Sequence, residues 1–291
     1  MFSSYPIQMK PESTPELMQA DPGLSVFRLA ALYAGTDGRP DDETLELMFE
    51  QVSSGVIRDL APLQIWPELA RGLMASKPSN MFRALYACGA LSMILPEVSA
   101  VFGVPQIAGD PPQVDIGQHL LRALDEASLC SASLPVRYAL MVMNIGKSDS
   151  PLEHLPVHYR HVERGEPRIH ALCERFGVPS DCRDLALLAL SECERVHRVS
   201  EIRAGPVAAM LERVGAFEQP DRFADFMLLC TYDFRAYPGN TNKEYVKADL
   251  LYRALAACAE IDADAIKAAQ GSLQDARAFA IADAFHSVRW S

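Results

Sequence analysis

The residues with the most chemical reach in this sequence are its histidines. Five of the seven, His154, His158, His161, His170 and His197, fall in one part of the second half, and His119 lies upstream of them. The pair in His158-Tyr159-Arg160-His161 is close enough to present two imidazoles from one loop, and imidazole nitrogen is a ligand that zinc accepts. Hydrolysis on a divalent ion also needs carboxylates, and none is correctly placed among these histidines. A structural or polar-surface role is therefore the simpler reading, and the metal is left unassigned. Lys147, after Asn144-Ile145-Gly146, could meet an anion, although glycine and lysine also serve helix ends for capping and dipole reasons. Arg183, Arg195, Arg198 and Arg203 form a locally basic stretch whose guanidinium forks suit phosphate. The plainer alternative is a solvated helical face with ion pairs to Asp184, Glu192 and Glu194. Asp233 is the one acidic residue singled out, set among Phe223, Phe226, Tyr232, Phe234 and Tyr237.

Composition narrows the classes. The 291 residues are 49% hydrophobic and 22% charged, enough for a substantial core. A net charge of -11 disfavours indiscriminate phosphate binding, so a nucleic-acid role would have to be local. The seven cysteines form no CxxC pair and sit among apolar neighbours, which reads as reduced core thiols. No apolar run approaches the ~20 residues that cross a bilayer, and the start of the chain has no signal-peptide pattern, so a cytoplasmic location without membrane contact is expected.

The elements that must position these groups read as helices throughout. Residues 1–20 are expected to form a loose arm. A helix is expected to start near Asp21-Pro22, with aspartate capping and proline in the first turn. Others are expected from Asp41 to Ser53-Ser54-Gly55, from Trp66-Pro67 to Ser76-Lys77-Pro78, and from Ser79 to Cys88-Gly89. The glycine- and proline-rich stretch 102–112 reads as a hinge between halves. Beyond it, helices are expected at about 116–129, 134–147, 166–176, 181–197, 205–215, 220–232, 243–260 and 274–287, with Pro167 in a first turn. No period-two pattern competes in the first half, and neither a phosphate loop nor a βαβ alternation is found.

Several blocks resemble one family. They are DDETLELM, IWPELARGLM, SKPSNMFRALYACGAL, ILPEVSAVFGVPQ, DIGQHLLRALDEA, the segment ending in NIGK, LPVHYRHVERGEPRIHALCERFGVP, RVHR and MLERVGAFEQPDRF, continuing to YPGN. Together they are similar to the helical C-terminal portion of bacterial CCA-adding tRNA nucleotidyltransferases of the multifunctional type, which carry an HD phosphohydrolase domain. The resemblance implies an all-α fold: an elongated helical array of neck and body type over residues 21–108, then a degenerate HD-like helical domain over 109–291. It also implies a chain lacking the catalytic head, since neither the head's glycine-serine entry motif nor its paired aspartates is present.

Departures from the family pattern set the functional expectation. In the neck, Arg28 matches one family arginine, whereas Ser25 and Ala31 replace two others and Gly23 looks inserted. His119 matches the first metal-binding histidine, and His158 and His161 match the histidine loop. The His-Asp doublet, however, is replaced by Met143-Asn144 ahead of Lys147, which removes an imidazole and a carboxylate. A later histidine pair resembles Glu192-Cys193 here, while His197 and Asp233 persist. The candidate pocket is thus His119, Met143, Asn144, Lys147, His158, His161, His197 and Asp233, with no catalytic residue and no cofactor assigned. Arg28, Arg183, Arg195, Arg198 and Arg203 are the candidate RNA contacts. The expectation is a non-catalytic homologue that binds tRNA or another RNA end. The alternatives are an acidic protein-interaction or regulatory scaffold, whose partner could be a separately encoded nucleotidyltransferase head, and a residual metal-dependent phosphohydrolase.

Overall fold

The computed structural model describes residues 21–199 and 203–285, so the expected N-terminal arm lies outside the described residues. Among them the architecture is helix on helix. The elements are α1 (Leu24–Tyr33), α2 (Asp42–Ser54), α3 (Pro62–Leu73), α4 (Pro78–Ala87), α5 (Ala90–Ile94), α6 (Pro96–Ser99), β1 (Pro105–Ile107), β2 (Gln113–Asp115), α7 (Ile116–Leu129) and α8 (Leu134–Val142). Then follow α9 (His161–Phe176), α10 (Ser180–His197), α11 (Ala204–Arg213), α12 (Pro220–Ala236), α13 (Val246–Ala257), α14 (Ala263–Ala268) and α15 (Leu273–Ala284). No helix among the described residues is long and apolar enough to cross a membrane.

Local chemistry accounts for most boundaries. The Asp41 carboxylate accepts from the Thr44 amide at 2.8 Å and caps α2, and Gly55, at φ 87°, ends it. The first helix departs from expectation. Gly23, at φ 84°, precedes it rather than an aspartate cap, and Asp21 instead pairs its carboxylate with Arg28 at 3.0 Å. Two helices begin earlier than expected, because their prolines lie inside them. α3 starts at Pro62 with Pro67 interior, and α9 starts at His161 with Pro167 interior. A helical proline leaves the carbonyl four residues back without its amide partner. Those carbonyls belong to Leu63 and Glu163, both exposed residues where water can serve.

Two further differences shape the site. The expected helix over 134–147 stops at Val142, and Ile145–Lys147 form a 3₁₀ turn, so Met143 and Asn144 stand at a corner. The stretch 102–112 carries half of a short antiparallel hairpin, pairing Pro105 with Asp115 and Gln106 with Val114. Three-residue strands hold too little alternation to register as a period.

Contacts run across residue 108. Ser79 Oγ donates to Asp125 at 2.7 Å, linking α4 to α7, and Arg175 on α9 pairs with Glu97 at 2.9 Å. Arg137 on α8 is buried and donates to the carbonyls of Leu73, Ala75 and Ala132 at 2.8, 2.9 and 3.0 Å. Those first two carbonyls lie at the end of α3, where helical partners run out.

Candidate functional site

Three helices converge on Asp233, which α12 delivers into the interior and which is 5% exposed. Its Oδ1 is hydrogen-bonded to His119 Nε2 at 2.8 Å, and its Oδ2 to His197 Nε2 at 2.9 Å. His119 reaches it from α7, whose apolar face buries Leu120, Ala123 and Leu124 beside it. His197 comes from the last turn of α10, and its Nδ1 is hydrogen-bonded to Tyr245 Oη at 2.7 Å. Tyr237 stacks on His119 at 4.2 Å between ring centroids. The result is a chain of polar groups, Tyr245–His197–Asp233–His119, enclosed by apolar packing. His119 Nδ1 is its one end with no partner.

Electrostatics follow from this chain. Burial alone would raise the Asp233 carboxyl, but the two imidazoles reverse that and hold it far below the usual carboxylate range. Burial would likewise lower His197, and the neighbouring Cys193 and Asp233 instead raise it to about 10. The contact with Cys230 and burial hold the Cys193 thiol well above its ordinary range. Burial and Lys147 lower His158, and burial lowers His161.

Lys147 emerges from the 3₁₀ turn into a second group. Its Nζ pairs with Glu194 at 2.9 Å and donates to Gln106 Oε1 at 3.2 Å. His161 faces the same carboxylate at 3.8 Å, and its Nδ1 is hydrogen-bonded to the His158 carbonyl. His158 is held between Ser150 Oγ, at 2.8 Å, and the Pro105 carbonyl, at 2.9 Å. A cavity of about 40 Å³ separates the two groups, lined by Met143, Asn144, Lys147, His161, His197 and Asp233 among others. A cleft of about 480 Å³, with Lys147, His158, Glu194, His197, Arg198 and Tyr237 on its walls, opens beside it. A wider one of about 770 Å³ shares His197 and Tyr237 and adds Asn240, Lys243 and Tyr245.

Six of the eight residues expected in the pocket line this small cavity, while His119 meets Asp233 from α7 and His158 lines the adjoining cleft. His154 and His170 are exposed and stand apart. The five arginines do not gather. Arg28 sits on α1, paired with Asp21 and Glu68. Arg183 and Arg195 lie twelve residues apart on α10, about 18 Å along its axis. The plainer reading of the basic stretch is realised, because Arg183 pairs with Asp184, Arg195 with Glu192 and Arg198 with Glu194. Arg203 is exposed. Of the five, Arg198 alone lines the clefts described above.

Cys193, expected only as the replacement of a family histidine, also reaches this group. Its Sγ lies 3.4 Å from His197 Nε2, and Cys193, His197 and Asp233 present donor atoms within 4.8 Å of one another. Four residues apart on one helix, Cys193 and His197 share a face, a signal that a search for CxxC pairs cannot find. Asp233 and Cys193 approach the same ring nitrogen, so the trio is not a nucleophile–base–carboxylate relay, which needs opposite nitrogens.

Comparison with known proteins places the chain. It is 41% identical over 266 residues to the Multifunctional CCA protein of Cupriavidus metallidurans, covering 91% of this chain and 63% of that protein. It is 42% identical over 266 residues to that of Burkholderia multivorans, with the same coverage, and 43% identical over 243 residues to that of Burkholderia lata, covering 84% and 58%. Over about nine tenths of its length the chain is thus similar to multifunctional CCA proteins. It spans under two thirds of the length of those relatives, and no family model matches it. Met143 and Asn144, expected from the resemblance to stand at a His-Asp doublet position, are 5% and 7% exposed. A neutral thioether and an amide do not fit a hard divalent ion that needs charged oxygen ligands there.

Proposed function

We propose that this chain binds the end of a tRNA, or a tRNA-like RNA, and does not hydrolyse phosphate esters. The reading is carried by Met143 and Asn144, which stand where the resemblance to CCA proteins leads one to expect a metal-holding doublet, in a cavity otherwise lined by Lys147, His161, His197 and Asp233. Clefts of about 480 and 770 Å³ lie in the range that encloses small organic groups such as a nucleotide. Lys147, Arg198 and Lys243 offer donors to phosphate along their walls, and Tyr237 offers a ring face for a base. HD-like identity and a neck and body organisation over 21–108 belong to this same proposal, and a separately encoded head as partner belongs to the scaffold reading below.

The test is a gel shift or fluorescence anisotropy titration with tRNA at low salt, because phosphate contacts weaken steeply with salt. Binding should be measurable for the parent chain and weakened by Arg198→Glu and Lys243→Glu, with no turnover of a cyclic phosphate or phosphomonoester. Absence of binding at low salt, or turnover of either ester, would overturn it. One observation favours a second reading, a scaffold for a protein partner: four of the five candidate RNA arginines are engaged by carboxylates in a chain of net charge -11. Affinity capture that returned a stoichiometric protein without RNA would support it.

A further inference from the structure

We propose that Cys193, His197 and Asp233 form a binding site for a single thiophilic divalent ion, with Zn²⁺ as the ion its donors suit. This site differs in ligand chemistry from the doublet position and does not depend on the RNA-binding reading.

The argument starts from donor type. A hard ion such as Mg²⁺ wants oxygen ligands, whereas one thiolate, one imidazole and one carboxylate match zinc. Spacing is the second step. With Zn–S of about 2.3 Å and Zn–N and Zn–O of about 2.0–2.1 Å, a tetrahedral ion sets its S and N ligands about 3.5 Å apart and its N and O ligands about 3.3 Å apart. Cys193 Sγ and His197 Nε2 are 3.4 Å apart, and His197 Nε2 and Asp233 Oδ2 are 2.9 Å apart. Both separations lie within about half an ångström of the requirement. The two ligands on α10 cost little to order, since one helix face already presents them and Asp233 comes from the packed interior of α12.

Outer contacts hold the ligands as metal ligands are commonly held. An imidazole that binds through one nitrogen carries its proton on the other and donates it to a neighbour, which fixes its orientation. Tyr245 Oη is that neighbour for His197 Nδ1, at 2.7 Å. The carboxylate oxygen not facing the ion is engaged by His119 at 2.8 Å. If His119 donates from Nε2, its buried Nδ1 is a bare lone pair rather than a stranded N–H, so the orphaned atom fits this arrangement. The fourth position faces the cavity of about 40 Å³, large enough for one water and lined by Asn144, Lys147 and Glu194.

Metal content and cobalt spectroscopy test the site on the whole chain. After dialysis against micromolar Zn²⁺ and then metal-free buffer, elemental analysis should return one zinc per chain. The Co²⁺-loaded chain should show thiolate-to-cobalt charge-transfer absorption in the near ultraviolet. Cys193→Ser should abolish that band and Asp233→Asn should lower zinc retention at least tenfold, while Cys182→Ser, remote from the cluster, should leave both unchanged. Circular dichroism of each variant separates loss of metal from loss of fold, and His197→Gln provides a further ligand deletion if Asp233→Asn fails to fold. Failure to retain zinc, cobalt binding without a thiolate band, or a band that survives Cys193→Ser would each overturn the proposal. Gel shifts with tRNA, measured separately, read the other proposal and are not needed here.

Discussion

Replacing Gly146 by alanine probes how the pocket is assembled. Gly146 sits in the 3₁₀ turn that carries Lys147, directly under the start of α9. A β-carbon there would meet the Gly165 amide nitrogen at 2.7 Å and its Cα at 2.9 Å, and the His161 carbonyl oxygen closer still. All three are backbone atoms, so no side chain can rotate away, and α9 must recede from the turn. Overpacking of this kind costs about 1–3 kcal/mol. Recession also strains the bonds from Arg164 to the Gly146 carbonyl, at 3.0 Å, and from Arg168 to the Ile145 carbonyl, at 3.1 Å. Hydrogen bonds from charged donors are worth about 1.5–3 kcal/mol each, so partial loss of two brings the total to about 3–5 kcal/mol. With a urea slope of about 3 kcal/mol/M, the unfolding midpoint should fall by at least ~1 M. Gly205→Ala is the control, because its β-carbon would meet nothing within 4 Å in the first turn of α11. An unchanged midpoint for Gly146→Ala would refute the close-approach argument.

Other outcomes follow from neighbouring features. Arg137→Met should destabilise by about 2–4 kcal/mol, since three carbonyls, two of them in buried bonds, lose their charged donor; a calorimetric change below about 0.5 kcal/mol would contradict a stapling role. His158 and His161 both titrate below the ordinary histidine value in the folded chain, so the unfolded chain binds more protons just below about pH 6.5. Their contribution to stability is present above that pH and is lost as pH falls through the interval down to their folded values. Urea midpoints should therefore drop between about pH 6.5 and 5.5, below the interval in which the raised His197 acts in the opposite sense, and the double variant His158→Gln/His161→Gln should flatten the drop; an unaltered slope would argue against it.

The helical character of this chain is written locally. Apolar residues three and four apart, the Asp41 cap and the glycines at 55, 89 and 177 carry it, because capping and amphipathicity act within a turn or two. Prolines are less legible. Pro67 and Pro167 look like helix starts, yet they lie inside helices, where the orphaned carbonyls belong to exposed residues, and that only the packed structure decides. The hairpin at 105–115 was invisible for want of length, and the break after Val142 depends on α9 crossing at Gly146.

The site divides in the same way. Sequence alone singled out eight pocket residues, largely through likeness to CCA proteins. What it could not contain was distance. His119 and Asp233 are 114 residues apart and touch at 2.8 Å only because α7 packs against α12. Cys193, read as a lost histidine, becomes a donor because the same packing brings Asp233 beside one face of α10. Residue types set which ligands are available, and long-range helix packing, which no local pattern encodes, decides which of them meet.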